Sequence, residues 1–288
     1  MRYFIFILKT TFIFLIFSLV SCGSVVCRYD YELYGLNTVV KSVKVLTYDA
    51  DNKFGEVVKG DLKFLGNYVA VFNAVGNIQS VSDFDDDGDL LWVSKYKYNE
   101  KNHMIEHLSY NSDGEVEYKN TFEYVYDGDK IISVTQISRY DDIDTYYLYE
   151  SIYDDNTIVE ENTFINSDFV SKTKYLKYDD SGKEWILYDK DGVEESRGYE
   201  YYNKSGRVVS SCNGEQSFEV KWNDKNLPIY IKNAQLYNNT IISSLVDMDG
   251  CIYYMEYEYD KMGNWIKQIV YEGELKIPVS ISEREITY

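Results

Sequence analysis

Apolar and polar residues alternate with a period of two over most of this chain, and Asp, Asn and Gly interrupt the alternation at short intervals. Tyr118, Asn120, Phe122, Tyr124 and Tyr126 fall on one side of an extended segment, and Lys119, Thr121, Glu123 and Val125 fall on the other. In the same way Tyr253, Met255, Tyr257 and Tyr259 oppose Tyr254, Glu256 and Glu258. This is the pattern of half-buried strands. A helical reading fails on the interruptions, because Gly and Asn would break each helix within a few turns. Only two prolines occur in 288 residues, so few N–H donors are missing from the ladders.

The interruptions share one frame: an aromatic residue, then Asp or Asn, then Gly four places after the aromatic. Phe72 leads to Gly76, Phe84 to Gly88, Tyr110 to Gly114, Tyr178 to Gly182, Tyr188 to Gly192, Tyr202 to Gly206 and Tyr259 to Gly263. Tyr98 reaches Asn102 and Trp222 reaches Asn226, with Asn in place of Gly. Val246 and Asp247 reach Gly250, with Val in place of the aromatic. An Asp or Asn side chain accepts backbone N–H groups ahead of it and starts a turn. Gly, and after it Asn, tolerates the positive φ that closes the turn. A type I turn closed by such a residue is a common hairpin connection with a bulge. The frame therefore predicts antiparallel hairpins repeating from about residue 66 to 271, with partial turn frames between 127 and 177. Val39, Val40, Val43 and Val45 predict a first strand ahead of them. The expected fold is all-β: an antiparallel meander of hairpins forming a long twisted sheet.

The first residues carry a separate message. Arg2 and Lys9 precede an apolar run from Phe12 to Val20, and LVSC closes it at 19–22. A short apolar run with basic residues before it and small residues after it is an export signal, and it is shorter than the roughly 20 residues a spanning helix needs. LVSC resembles the lipobox of bacterial lipoproteins, which implies a lipid on Cys22. Gly23 and Ser24 lack the Asp associated with inner-membrane retention in such proteins, which implies the outer membrane. The expected organisation is a signal peptide over 1–21, a lipidated tether over 22–35 and one β domain over 36–288.

Net charge sharpens the picture. At −19, it argues against nucleic acid and against anionic membrane surfaces as partners. Attachment to a bilayer would come from the lipid. Of the remaining cysteines, Cys212 and Cys251 are compatible with a disulfide or with two buried thiols. The absence of any C-x-x-C pair leaves a redox motif or zinc finger without support.

The frame, with a Tyr two places before its aromatic, resembles the YD repeat of RHS-type proteins. YEYDKMGN (257–264), YKYNEKNH (96–103), YVYDGDK (124–130) and YYNKSGR (201–207) carry it. With the lipobox and TYDADNKFGEVVKG (47–60), the chain resembles a group of RHS-like envelope lipoproteins of Gram-negative bacteria. The Arg usual after the Gly of that repeat is met only by Arg207. Large RHS proteins wrap many such repeats into a shell around a toxin. The resemblance implies architecture more than activity, since members of this group mostly lack an assigned one.

Candidate chemistry is sparse. HMIEH (103–107) matches the H-x-x-E-H pattern of one class of zinc peptidase, but those ligands work on a helix. In a strand His103 and His107 would stand roughly 13 Å apart, too far for one ion. Asp83, Asp85, Asp87 and Asp89, with Gly88, match the opening of a calcium loop. The twelfth position is Ser94 and not the bidentate Glu, so a solvated hairpin tip is the better reading. Thirty-one tyrosines either line a glycan-binding face or supply a thin sheet with residues apolar on the ring and polar at the tip. No catalytic residue and no cofactor emerges. The expected function is a non-catalytic binding or scaffold module at the cell envelope, with a protein or glycan partner. The alternatives are a glycan-active enzyme using paired carboxylates and a partner or immunity protein of an RHS-type toxin.

Overall fold

The computed structural model describes residues 30–140, 143–213, 216–237, 240–242 and 250–288. Cys22, the expected signal peptide before it and Asp247 lie outside the described residues. One short helix, α1 (Asp30–Leu33), precedes a run of strands. These are β1 (Ser42–Lys53), β2 (Glu56–Leu62), β3 (Asn67–Phe72), β4 (Ile78–Phe84), β5 (Leu90–Tyr98), β6 (Met104–Asn111) and β7 (Val116–Asp127). There follow β8 (Lys130–Tyr140), β9 (Ile143–Asp154), β10 (Thr157–Ile165), β11 (Asp168–Asp179), β12 (Gly182–Asp189), β13 (Glu194–Tyr202) and β14 (Val208–Asn213). The last are β15 (Gln216–Trp222), β16 (Pro228–Lys232), β17 (Gln235–Tyr237), β18 (Thr240–Ile242), β19 (Ile252–Tyr259), β20 (Trp265–Glu272) and β21 (Ile277–Thr287).

Each strand from β3 to β16 pairs antiparallel with the next, and β16, β19, β20 and β21 continue the meander. The sheet then closes. β1 pairs along one edge with β21, from Ser42 opposite Thr287 to Asp49 opposite Ser280, and on its other edge with β3 over Ser42 to Val45. The result is a closed ring of 18 strands, a more specific architecture than a long twisted sheet. Closure removes the exposed edges that an open sheet of this length would present. β2 stands outside the ring, folded back on the second half of β1, and β17 and β18 form a separate two-stranded ribbon. The first strand begins at Ser42, three residues later than the valine run places it.

The turn frame recurs with one geometry. At Asn73, Asp85, Asn99, Asn111, Asp189, Asn203, Asn223 and Asp260 the side-chain oxygen accepts the N–H groups two and four residues ahead, at 2.7–3.1 Å. The residue three ahead, Gly or Asn, donates to the backbone carbonyl of the same Asp or Asn at 2.8–3.3 Å. The ladder register shifts at the aromatic itself, for example between Glu258 and Tyr259 and between Lys97 and Tyr98. Each repeat is thus a bulged hairpin end. Gly76, Gly88, Gly114, Gly192, Gly206, Gly250 and Gly263 have φ from +65 to +96°, and Asn102 (62°) and Asn226 (57°) are also positive, at slightly smaller angles. Gly182 differs. It pairs with Asp179 as the first residue of β12, has φ +154°, and a Cβ there would lie 2.3 Å from the Glu200 carbonyl oxygen.

Because the meander alternates direction, its turns alternate between two ends of the ring. Those starting at Asn73, Asn99, Asn203, Asn223 and Asp260 share one end, and residues 30–41 lie across it as a strap. The Tyr31 N–H donates to the Gly76 carbonyl at 3.0 Å, and the neighbouring Glu32 carbonyl accepts Arg207 Nη2 at 2.7 Å. Asn37 binds the turn after β19 through the Asn264 side chain (2.7 Å) and the Gly263 carbonyl (2.5 Å). Asp30 accepts the Ile78 N–H and the Tyr98 hydroxyl, at 2.8 and 2.5 Å. Consecutive strap residues therefore reach turns on far sides of the ring, which is pinched at this end. Residues 30–35, expected in the tether, belong to the folded body.

Among the described residues three separate apolar clusters hold the wall. Val43, Val45, Tyr68, Ala70, Phe72, Ile78 and Val81 pack with Leu36 and Val40 of the strap. Phe122, Ile131, Val134 and Tyr149 form the second, and Val220, Ile231, Ala234 and Met255 the third. Full burial of each such side chain stabilises by about 1.5–3 kcal/mol.

Candidate functional site

The two faces of the wall differ in chemistry. On β7 the buried Asn120 and Phe122 point inward with Tyr118, Tyr124 and Tyr126, while Glu117, Glu123 and Val125 are exposed. The outer face is laced with ion pairs, Lys172 with Glu160 (3.7 Å) well inside their strands and, towards strand ends, Glu106 with Lys97 (2.6 Å) and Lys119 (3.6 Å), Arg139 with Asp144 (2.6 Å) and Lys267 with Glu258 (2.8 Å). Its tyrosines lie under lysines: Tyr110 under Lys95, Tyr188 under Lys172, Tyr230 under Lys221 and Tyr254 under Lys276, at 4.6–5.9 Å. A lipid-facing Lys or Arg costs roughly 2–4 kcal/mol at mid-bilayer, so charge at the level of Lys172 and Glu160 favours water outside the wall.

The inner face between β10 and β13 carries the densest polar chemistry. Tyr175 stands opposite Trp185, and Trp185 opposite Gly198. Gly198 is required there, because a Cβ would lie 2.5 Å from the indole ring. The Tyr175 hydroxyl donates to Glu161 in a short hydrogen bond. Burial raises the Glu161 pKa, while Tyr175 and, less strongly, Lys183 oppose the rise. Lys183 pairs with Glu200 at 3.2 Å, and the Tyr202 hydroxyl donates to the same carboxylate at 2.8 Å. Tyr178 stands over Tyr175 edge to face at 5.0 Å. Glu161, Tyr175, Trp185, Lys183, Glu200 and Tyr202 are all only half-buried. Aromatic faces interleaved with oriented hydroxyls and carboxylates suit a neutral polyhydroxylated ligand, whose rings stack and whose hydroxyls bond.

Paired-carboxylate hydrolysis does not fit these acids. Glu161 and Glu200 lie on β10 and β13, three strands apart, or roughly 14 Å across the ladder. They are also four residues out of line, since Glu161 aligns through Thr173 and Leu187 with Ser196. An acid pair flanking a glycosidic bond needs about 5–10 Å.

The metal candidates come apart in the structure. Asp83 is buried and points inward, where its cross-strand neighbour is Trp92. Asp85 spends a carboxylate oxygen on the Asp87 and Asp89 N–H groups, and those two side chains are exposed. Burial separates Asp83 from Asp87 and Asp89. In HMIEH, Glu106 faces out to its lysines, while His107 is buried against Tyr96 (rings 4.7 Å apart, stacked) and His103 contacts the Tyr126 hydroxyl at 2.7 Å. Among the described residues no cluster of three or more His, Cys, Asp or Glu could hold a metal. Cys212 and Cys251 are free thiols.

Beneath the strap lies a sealed titratable set. Burial raises Asp83 to about 7, with Trp92 opposing the rise, and raises Asp30 as well. Burial lowers His107 to about 4. Arg284 is buried with its guanidinium 3.4 Å from the centre of the Trp265 ring, and burial lowers its pKa against the opposing effect of Tyr68.

Sequence reasoning singled out tyrosines as a class but none of Glu161, Lys183, Trp185 or Glu200. Their signal was the alternation in GKEWILYD (182–189), which puts Lys183, Trp185 and Leu187 on one face.

No protein-family model matches the chain, and no curated protein matches it. Among solved structures, a porin-like protein from Bacteroides uniformis ATCC 8492 aligns over 86% of this chain and 96% of its own, with a TM-score of 0.36 and 8% identity. A porin-like protein from Bacteroides vulgatus ATCC 8482 aligns over 87% and 99%, with a TM-score of 0.29 and 12% identity. A DUF1329 family protein from Desulfovibrio piger ATCC 29098 aligns over 93% and 92%, with a TM-score of 0.17 and 12% identity.

Proposed function

We propose that the protein is an exported, lipid-anchored, non-catalytic binding module of a Gram-negative cell envelope, and that its inner wall between β10 and β13 receives a glycan. The observation that carries the binding reading is the half-buried set Glu161, Tyr175, Trp185, Lys183, Glu200 and Tyr202, oriented by its own hydrogen bonds on one face of a rigid sheet. The envelope reading rests on LVSC at 19–22 and the basic, apolar leader before it. The YD-like frame, present as one bulged turn in eight copies, supports the RHS-like architecture. With β-strands closed into a ring and a charged outer face, the membrane is reached through the lipid and not by the wall. A glycan array followed by calorimetry on the strongest ligand tests the binding reading. Glu161→Gln and Tyr175→Phe should each weaken that ligand about 10-fold, the equivalent of one hydrogen bond to a charged group. Binding that survives both, or an array without a hit, would leave the inner wall with no glycan role.

A further inference from the structure

The two ends of the ring differ in charge, and the chain enters the fold at the strapped one. We propose that the strapped arc is the face this protein turns to the bilayer surface, with the opposite end of the ring held away from it. The inference rests on the lipid-anchor reading of Cys22.

The tether sets the first limit. Asp30 follows Cys22 by eight residues, and its carboxylate is fixed on the Ile78 N–H and the Tyr98 hydroxyl. A chain of that length reaches at most about 28 Å when fully extended. The wall is of similar height. β7, with 12 residues, rises about 31 Å along the ring axis at 3.4 Å per residue and the usual barrel tilt of about 40°. A lipid on Cys22 is therefore within reach of the strapped end, and its tether is spent before it passes the other.

The repeated turn sets the second. At the strapped end the residue before the closing Gly or Asn is Val75, Lys101, Ser205, Lys225 or Met262. At the opposite end it is Asp in each described frame: Asp87, Asp113 and Asp191. The five strapped-end frames, 73–77, 99–103, 203–207, 223–227 and 260–264, hold five basic residues and three acidic ones. The three at the opposite end, 85–89, 111–115 and 189–193, hold one basic residue and eight acidic ones. The turn itself does not require this difference, because the first Asp or Asn and the closing residue make it at both ends. Exposed apolar side chains do not separate the ends, since Val75 and Met262 stand at one and Val193 and Leu275 at the other. Charge does. Lys101, Lys204 and Lys261 are exposed. The remaining turns of the strapped end, at 127–130, 154–157 and 179–182, are acidic, so basic character is confined to the arc that the strap crosses.

The field of an anionic bilayer is screened within about 8 Å at physiological ionic strength. With the strapped arc down, that layer meets Lys204 and Lys261, and the Asp-rich turns stand several screening lengths away. An inverted ring would press those turns against the lipid phosphates. Charge thus favours the orientation that the tether permits. Attachment still comes from the lipid, because so few lysines do not hold a chain of net charge −19 on a membrane.

The test places a fluorophore on single cysteines of the lipidated protein, reconstituted in phosphatidylglycerol vesicles that carry a quencher on the lipid headgroup. Cys27, Cys212 and Cys251 are replaced by Ser. The label goes on Ser205→Cys in the strapped arc, Asn156→Cys in the acidic arc or Ser112→Cys at the opposite end, all at exposed positions. Thermal melts show whether each labelled protein keeps the fold. The 205 label should lose most of its emission, the 112 label should keep nearly all of it, and the 156 label should fall between. Lys204→Glu combined with Lys261→Glu should narrow the gap between 205 and 156 in phosphatidylglycerol and leave it unchanged in phosphatidylcholine. Equal quenching at 205 and 112, stronger quenching at 112, or a gap between 205 and 156 that the two Glu substitutions do not move would overturn the orientation and leave the anchor reading standing. Protein that stays off the vesicles would overturn the anchor reading and the orientation with it. Neither result bears on glycan binding at the inner wall.

Discussion

A single glycine shows what the repeat demands of its residues. At Gly114 nothing lies within 4 Å of an added Cβ, so the only cost of a side chain is its φ of +81°. Gly114→Ala should cost on the order of 1 kcal/mol, Gly114→Asn less, and Gly114→Val the most. At Gly182 a Cβ would meet the Glu200 carbonyl at 2.3 Å, so Ala and Asn should both be far more damaging there than at Gly114. Denaturant midpoints for Ala, Asn and Val at the two positions check this, and equal profiles would mean that one mechanism governs both. The sequence frame treated them as copies. It could not separate them, because the contact at Gly182 comes from the neighbouring strand β13, outside the turn frame. Asp83 carries the second residue-scale prediction. Its pKa is raised from 3.8 to about 7, so the folded state holds a proton that the unfolded state has released across that interval. Stability should therefore fall as pH rises from about 4 to 7, by roughly 3–4 kcal/mol. His107, lowered from 6.5 to about 4, acts in the opposite sense over much of the same range. Comparing wild type with Asp83→Asn removes the His107 contribution from the difference. The Asn variant should gain on wild type as pH rises from 4 to 7.5, and a constant difference would mean that Asp83 titrates normally.

At the scale of elements, the hairpins were readable because their chemistry is local. Asp260 binds the N–H groups of Met262 and Asn264, and no distant residue is needed to make that turn. The strap was not readable, because its partners lie far off: Asn37 meets Asn264, and Glu32 meets Arg207. Residues 30–35 have tether-like composition, and only the turns beneath them make them part of the fold. The strap's anchor is Asp30, which joins β4 through the Ile78 N–H and β5 through Tyr98. Tyr98→Phe should cost about 1–3 kcal/mol, since it leaves a buried carboxylate with one partner fewer. Asp30→Ala should cost at least as much and should speed hydrogen exchange at Tyr31, Leu36 and Asn37 without altering exchange in β7 and β8. Uniform acceleration across the ring would show that the strap and wall unfold as one unit.

The whole molecule turns on closure and on which face meets water. Alternation announced the strands and their two faces, and β7 and β19 present the residues expected of them. It was silent on the partner of β1, because pairing Ser42 with Thr287 joins residues from opposite ends of the chain. Closure gives the ring an inside, and so turns a tyrosine-rich face into an enclosed one. It also leaves Lys97, Glu106 and Lys119, with the pairs Lys172–Glu160, Arg139–Asp144 and Lys267–Glu258, around the outside. If that outer face is water-facing, the wall has no affinity of its own for a bilayer core, and attachment depends on Cys22. Fractionation of cells expressing wild type and Cys22→Ala, followed by alkaline extraction and detergent phase partition, tests this most directly. The account predicts wild type in the membrane and detergent phase, and Cys22→Ala in the soluble and aqueous phase or held as an unprocessed precursor. A processed Cys22→Ala protein that stays in the membrane after alkaline extraction would contradict it, since the strands themselves would then be in the lipid.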